Sequence, residues 1–393
     1  MPAAAAAAAP PPAARAPERL HYLDYLRAGV VALVFVHHTA ITYGASGSWY
    51  YSDASRSKVV EGLLTLLAAY DQAWFMGFLF FVSGYFSLPS LARKGPGAYV
   101  ADRLRRFGIP LLVYMFVISP VVTWLALLGG PAAHPRLIAY WWSRYLSLRT
   151  WDTGPLWFVW ALLLMDLLLA AWATRRDHRD LAVRRPTPFP GPGRLVAFAA
   201  AVGVAAFLVR LAIPVGDTVL FGLQLGYFPG YVAMFLAGIA AWRRGWLDAI
   251  PDAAHRFARR SAAVGAVLLP IILVVGARSG ADAVLAFAGG LHWQAAAYAL
   301  WEPWVLVGMT IVLLRWGQRR FNRASARWQA WAAASYPAYI LQPLAIVGFA
   351  VLIRYAAWPA LAKFGVVSAA SIVALYAAAR VVRGVPWIRR VIG

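Results

Sequence analysis

The residues with the most chemical potential lie at the two ends of one apolar run. In LDYLRAGVVALVFVHHT, residues 23–39, Asp24 and Arg27 stand at a basic margin, nine uncharged residues follow from Ala28 to Val36, and His37 and His38 come next. An ionisable residue that deep in an apolar segment is a functional residue by default. The eleven positions from Arg27 to His38 make three helical turns plus about 20°, so the two share a face roughly 16 Å apart. His37 is turned away by about 100°. One helix would then carry a fixed cation near one surface and a proton-exchanging ring beyond the bilayer middle. A neutral imidazole there could take a proton from a hydroxyl.

Other polar residues recur at places where a helix must position them. DRLRRFGIP, residues 102–110, precedes an apolar run. Arg103 and Arg106, three apart, would share a helical face; with the free N–H groups of a helix start they could hold phosphate, or they could simply set topology. Asp71 is followed by FMGFLFFVSGYFS, in which Gly77 and Gly84 permit close helix contact and Ser83 and Tyr85 bring hydroxyls towards the inner end. GPLWFVW, residues 154–160, leads to Asp166 inside an apolar run, where a carboxyl needs a partner or a proton. In WEPW, Glu302 lies about as deep as His38, which makes it the preferred carboxylate for orienting that imidazole. SYPAYILQPLAIV aligns Tyr336, Tyr339 and Gln342 along one face, as a polar pocket or a plain interhelical seam. Arg210, near a span end, is expected to snorkel. No histidine has a metal-like spacing with another ligand, and no metal is expected.

Composition states what must carry these residues. The 393 residues are 62% hydrophobic and only 13% charged, with 19 Trp and no Cys. Repeated apolar runs of spanning length indicate an all-α polytopic membrane protein, and ten spans are expected at about 25–44, 66–88, 109–128, 155–173, 195–213, 227–242, 261–277, 295–314, 331–352 and 362–380. The net charge of +22 comes from arginines in short loops and not from an amphipathic or aromatic-interleaved surface, so no nucleic-acid partner is expected. With the N-terminus inside, 28 Lys/Arg fall in inner segments and eight in outer ones, which alternates as the positive-inside rule requires and puts both termini in the cytoplasm. The absence of Cys excludes thiol catalysis and thiolate metal sites, and no Walker or dinucleotide motif is present. Residues 1–19, rich in Ala and Pro, are expected to form a disordered cytoplasmic tail, and 20–393 a single membrane domain.

LDYLRAGVVALVFVHH, LFFVSGYFS, RLRR before the third span, GPLWFV and YPAYILQP resemble, in order and spacing, the membrane-bound acyltransferase family 3. The resemblance covers nearly all of the chain beyond the tail. It implies about ten transmembrane helices in a bacterial inner membrane, and an acyl-CoA co-substrate, acetyl-CoA above all, with no permanently bound cofactor. The acceptor it implies is a hydroxyl of an extracytoplasmic or lipid-linked carbohydrate, and the group moved is acetyl or succinyl. By residue, it implies an essential Arg27 and His38, and donor-binding Arg103 and Arg106. WEPW and the lack of a fused soluble domain point to the branch with glucan-modifying enzymes. Two departures stand out: Trp160 occupies a place where members often carry an acidic residue, and Gln342 one where many carry a histidine.

On this reading acyl-CoA phosphates meet Arg103, Arg106 and Arg27, and His38 acts as base or acyl relay. Ser83, Tyr85 or Tyr339 stabilises the oxyanion, and Gln342 lines the substrate path. Asp24 and Asp166 support these groups. The competing class is a proton-coupled transporter of a lipid-linked or anionic solute, with Arg27, His38 and Glu302 as a proton relay.

Overall fold

A computed structural model describes residues 20–130, 136–143, 151–176, 178–181, 183–278 and 285–392. The expected tail, 1–19, lies outside the described residues. Among the described residues, ten helices are long and apolar enough to cross a membrane: α1 His21–Thr42, α2 Lys58–Lys94, α3 Pro96–Leu128, α4 Gly154–Ala173, α5 Pro192–Ala212, α6 Leu225–Arg243, α7 Asp252–Ala277, α8 Trp293–Phe321, α9 Ala326–Leu352 and α10 Ala360–Val382. Each contains one of the ten expected spans to within a few residues, and the chain is an all-α integral membrane protein.

Helices α2 and α3 run past their apolar segments. The first turn of α2 is polar and carries a Lys58–Glu61 ion pair at 2.7 Å, while α3 starts on Pro96, upstream of the arginine cluster. Thus the arginine-rich segment is itself helical, but it is not a regular α-helix. Wide π turns at Leu104–Gly108 and Tyr114–Ile118 come just before Pro110 and Pro120. A proline has no N–H for the carbonyl four residues earlier. Both carbonyls released in this way find side-chain donors: Tyr336 Oη donates to Arg106 O at 2.8 Å and Trp141 Nε1 to Phe116 O at 2.7 Å.

Four helices form the interior. Between 61% and 72% of the apolar windows of α1, α2, α8 and α9 is buried, against 22% to 33% for α3, α5, α6, α7 and α10. Helix α1 packs against α2, α8, α9 and α10, and α2 also packs tightly on α6. That second crossing depends on glycine: a Cβ at Gly84 would strike the Phe235 carbonyl, and one at Gly238 the Phe81 carbonyl. The paired histidines are therefore on a helix enclosed by protein.

Candidate active site

His38 is half-buried near the end of α1, and its Nδ1 lies 3.1 Å from Gln342 Oε1 on α9. With the Gln342 amide turned so that its carbonyl, which only accepts, faces the ring, the neutral imidazole is protonated on Nδ1 and has its lone pair on Nε2. Its ring stacks on Trp49, with centroids 4.0 Å apart and planes 12° from parallel. Trp49 comes from the loop between α1 and α2, and among the described residues its buried indole N–H has no hydrogen-bond partner. His37, as the helical geometry requires, turns elsewhere and meets Phe75 of α2 at 4.9 Å.

Around this imidazole, four segments converge. Tyr50, beside Trp49, shares a 2.7 Å hydrogen bond with Tyr114 of α3. Gly154, at φ +47°, packs so closely under those two hydroxyls that a Cβ would run into both. Tyr339 donates to the Pro155 carbonyl, so α9 touches the start of α4 one turn away from Gln342. The loop carrying Trp49 and Tyr50 is itself fixed: Lys363 Nζ binds Asp53 at 2.8 Å and the Arg354 carbonyl at 3.0 Å, and Asp53 N donates to Thr42 O. The polar face of SYPAYILQP is therefore part of this site.

Expectations for the carboxylates need correcting. Glu302 does not pair with His38; its carboxylate binds the guanidinium of Arg210 on α5. Arg210 does not snorkel: it is 1% exposed, donates to Gly226 O at 3.0 Å and sits over the rings of Tyr227 and Tyr298. Taking either charge away would strand the other in the interior. Equal depth in two spans says nothing about which sides of the helices face each other, and that is why the expected pairing failed.

At the arginine-rich end, Arg103 and Arg106 go different ways. Arg103 Nε lies 2.9 Å from Asp166 Oδ2 of α4, with the guanidinium 4.6 Å from the Tyr99 ring. Tyr99 and Ser87 donate to Asp166 Oδ1 at 2.6 Å and 2.8 Å. The buried carboxylate thus finds three partners, two of them, Tyr99 and Ser87, missed in the sequence. Arg106 is half-buried with its backbone against α9, and Arg105 is exposed. The π turn between Arg103 and Arg106 removes the regular spacing on which a shared face was expected. Arg27 is 3.3 Å from Asp24, with its side chain 43% exposed. Ser83 is eight residues beyond Phe75 on α2, about 12 Å along the axis. Tyr85 lies farther still, near Arg184 and Asp248. Phe75 meets His37, the chain neighbour of His38, and among the described residues no hydrogen bond or ring contact joins Ser83 or Tyr85 to the His38 ring.

The sequence between positions 20 and 380 matches the model of the Acyltransferase domain family. The chain belongs to that family. Relatives include glucans biosynthesis protein C from Escherichia coli O6:K15:H31 (strain 536 / UPEC), 29% identical over 166 residues, or 42% of this chain and 41% of the relative. The proteins of the same name from strains SMS-3-5 / SECEC and K12 are each 28% identical over the same lengths. The chain thus spans about two fifths of the length of the curated relatives it matches. No solved structure matches it. Sequence reasoning left out Trp49, which stacks on His38, and Tyr50 and Tyr114, which extend from it. The signal was the aromatic run Trp49-Tyr50-Tyr51 in a loop otherwise made of small and polar residues.

Proposed function

We propose that this protein transfers an acyl group, acetyl or succinyl, from acyl-CoA at the arginine-rich face to a hydroxyl of an extracytoplasmic or lipid-linked carbohydrate, in a bacterial inner membrane. The observation that carries the reading is the His38–Gln342 hydrogen bond, which leaves Nε2 basic in a ring walled by aromatic groups. Membership in the acyltransferase family and the glucan-biosynthesis relatives support the reaction class and the carbohydrate acceptor.

Each residue then has a physical task. Arg106 and Arg27 meet the donor's phosphates, while Arg103, held by Asp166, supplies positive potential and fixes the helix that carries Arg106. His38 Nε2 takes the proton of the acceptor hydroxyl as its oxygen attacks the thioester carbon. The carbon–sulfur bond breaks, and the departing thiolate recovers that proton from the imidazolium. Trp49 Nε1, an N–H without a partner among the described residues on the ring stacked against the base, donates to the negative oxygen formed on the way. Gln342 keeps the ring in the productive tautomer.

The test uses purified protein with acetyl-CoA or succinyl-CoA, and mass spectrometry of surface and periplasmic glycans from deletion and His38→Ala strains. Thioester consumption and a glycan mass increment are expected from the wild type and absent from His38→Ala. Glycans of unchanged mass in the deletion strain, with no thioester consumed by the wild-type protein, would sink the proposal.

A further inference from the structure

One feature outside the catalytic cluster is an apolar groove of about 220 Å³ between α1, α2, α8 and α9. Tyr25 and Gly29 of α1, Trp74 of α2, Trp316 of α8, and Trp328 and Trp331 of α9 line it. Its accessible lining is carbon almost throughout. Gly29 forms part of the floor, and a Cβ there would meet nothing within 4 Å. Trp316 and Trp328 are exposed, as aromatic side chains at a membrane interface are.

The mouth of this groove is basic. The turn joining α8 to α9 is hung on the groove wall by Tyr25, whose hydroxyl donates to Arg323 O and accepts from Ser325 N, both at 3.2 Å. That turn and its flanks carry Arg319, Arg320, Arg323 and Arg327. Arg319 is paired with Asp252 at 2.7 Å. Arg320, Arg323 and Arg327 are exposed and have no acidic partner among the described residues. A hydrocarbon slot capped by unpaired arginines matches one kind of molecule: a fatty chain with an anionic head.

We propose that this groove is a binding site for an anionic phospholipid, with one acyl chain lying along Gly29 between the tryptophans and the phosphate at the arginine turn. The lining chemistry separates this occupant from the donor's pantetheine arm. That arm carries two amides, which would lose their hydrogen bonds against a wall of carbon, whereas a lipid tail loses nothing. The site does not depend on the acyltransferase reading, since it involves neither His38 nor Gln342.

The full-length protein, stripped of lipid in detergent, is offered phosphatidylglycerol or phosphatidylcholine with identical chains and examined by native mass spectrometry. Phosphatidylglycerol is expected to be retained preferentially, by about fivefold for each arginine engaged. Gly29→Leu, which fills the slot, should cut retention of both lipids without changing the melting temperature. The surface variant R320Q/R323Q/R327Q should still bind but lose the preference for phosphatidylglycerol, and it keeps the test decisive should Gly29→Leu misfold. Equal retention of the two lipids by the wild type, or full retention in a folded Gly29→Leu, overturns the proposal. So does displacement of the lipid by acyl-CoA, which would give the groove to the donor.

Discussion

In the proposed mechanism His38 is the base, and the amide oxygen of Gln342 selects which of its nitrogens is bare. Gln342 Oε1 accepts a hydrogen bond from His38 Nδ1, and Trp49 lies flat against the ring with its N–H unpaired among the described residues. Stacking and hydrogen-bond donation by Trp49 can be separated. Trp49→Phe keeps an aromatic face on the imidazole and removes the donor. A lost oxyanion donor costs about 10²- to 10³-fold in kcat. We expect a kcat loss of that order with KM little changed, measured as acceptor-dependent thioester consumption. A variant that raised KM alone would show that Trp49 merely binds substrate.

The elements around that ring are held at points a helical pattern does not reveal. The loop after α1 brings Trp49 onto His38, and its anchor is the Asp53–Lys363 pair at the mouth of α10. Lys363 is 7% exposed, so the pair is largely shielded from solvent. Lys363→Met is expected to loosen residues 43–57, read as faster amide hydrogen exchange there, and to lower activity while α1 to α10 stay folded. Unchanged exchange in that loop would remove the anchor from the account. The ten spans were legible because a bilayer demands an uninterrupted apolar run from each of them. Azimuth was not: Glu302, expected to face His38, faces Arg210. The π turn that separates Arg103 from Arg106 follows from Pro110, as the next one follows from Pro120, a consequence visible in the sequence only once those residues are known to be helical. Trp49 escaped notice because its role comes from a loop folding back, which no periodicity records.

For the molecule as a whole, the arginine count supplies an orientation that can be tested cleanly, because the chain has no cysteine of its own. Ser48 and Ala324 are both exposed, one in the loop after α1 and the other in the turn before α9. With both termini inside, a membrane-impermeant maleimide should label Ser48→Cys once the outer membrane is opened. It should label Ala324→Cys only after the inner membrane is permeabilised. The reverse pattern would invert the positive-inside assignment, and with it the side from which a donor must come. The same view of the whole chain bears on how it is made. Arg210 leaves the ribosome 92 residues before Glu302, and an arginine inside a bilayer without its partner costs about 2.5–3.5 kcal/mol. During synthesis α5 must therefore wait, with its guanidinium drawn towards lipid headgroups or sheltered by the insertion machinery, until α8 emerges. A chain cut short before α8 should leave α5 easily extracted from the membrane by alkaline washing, and Arg210→Met should cure that defect.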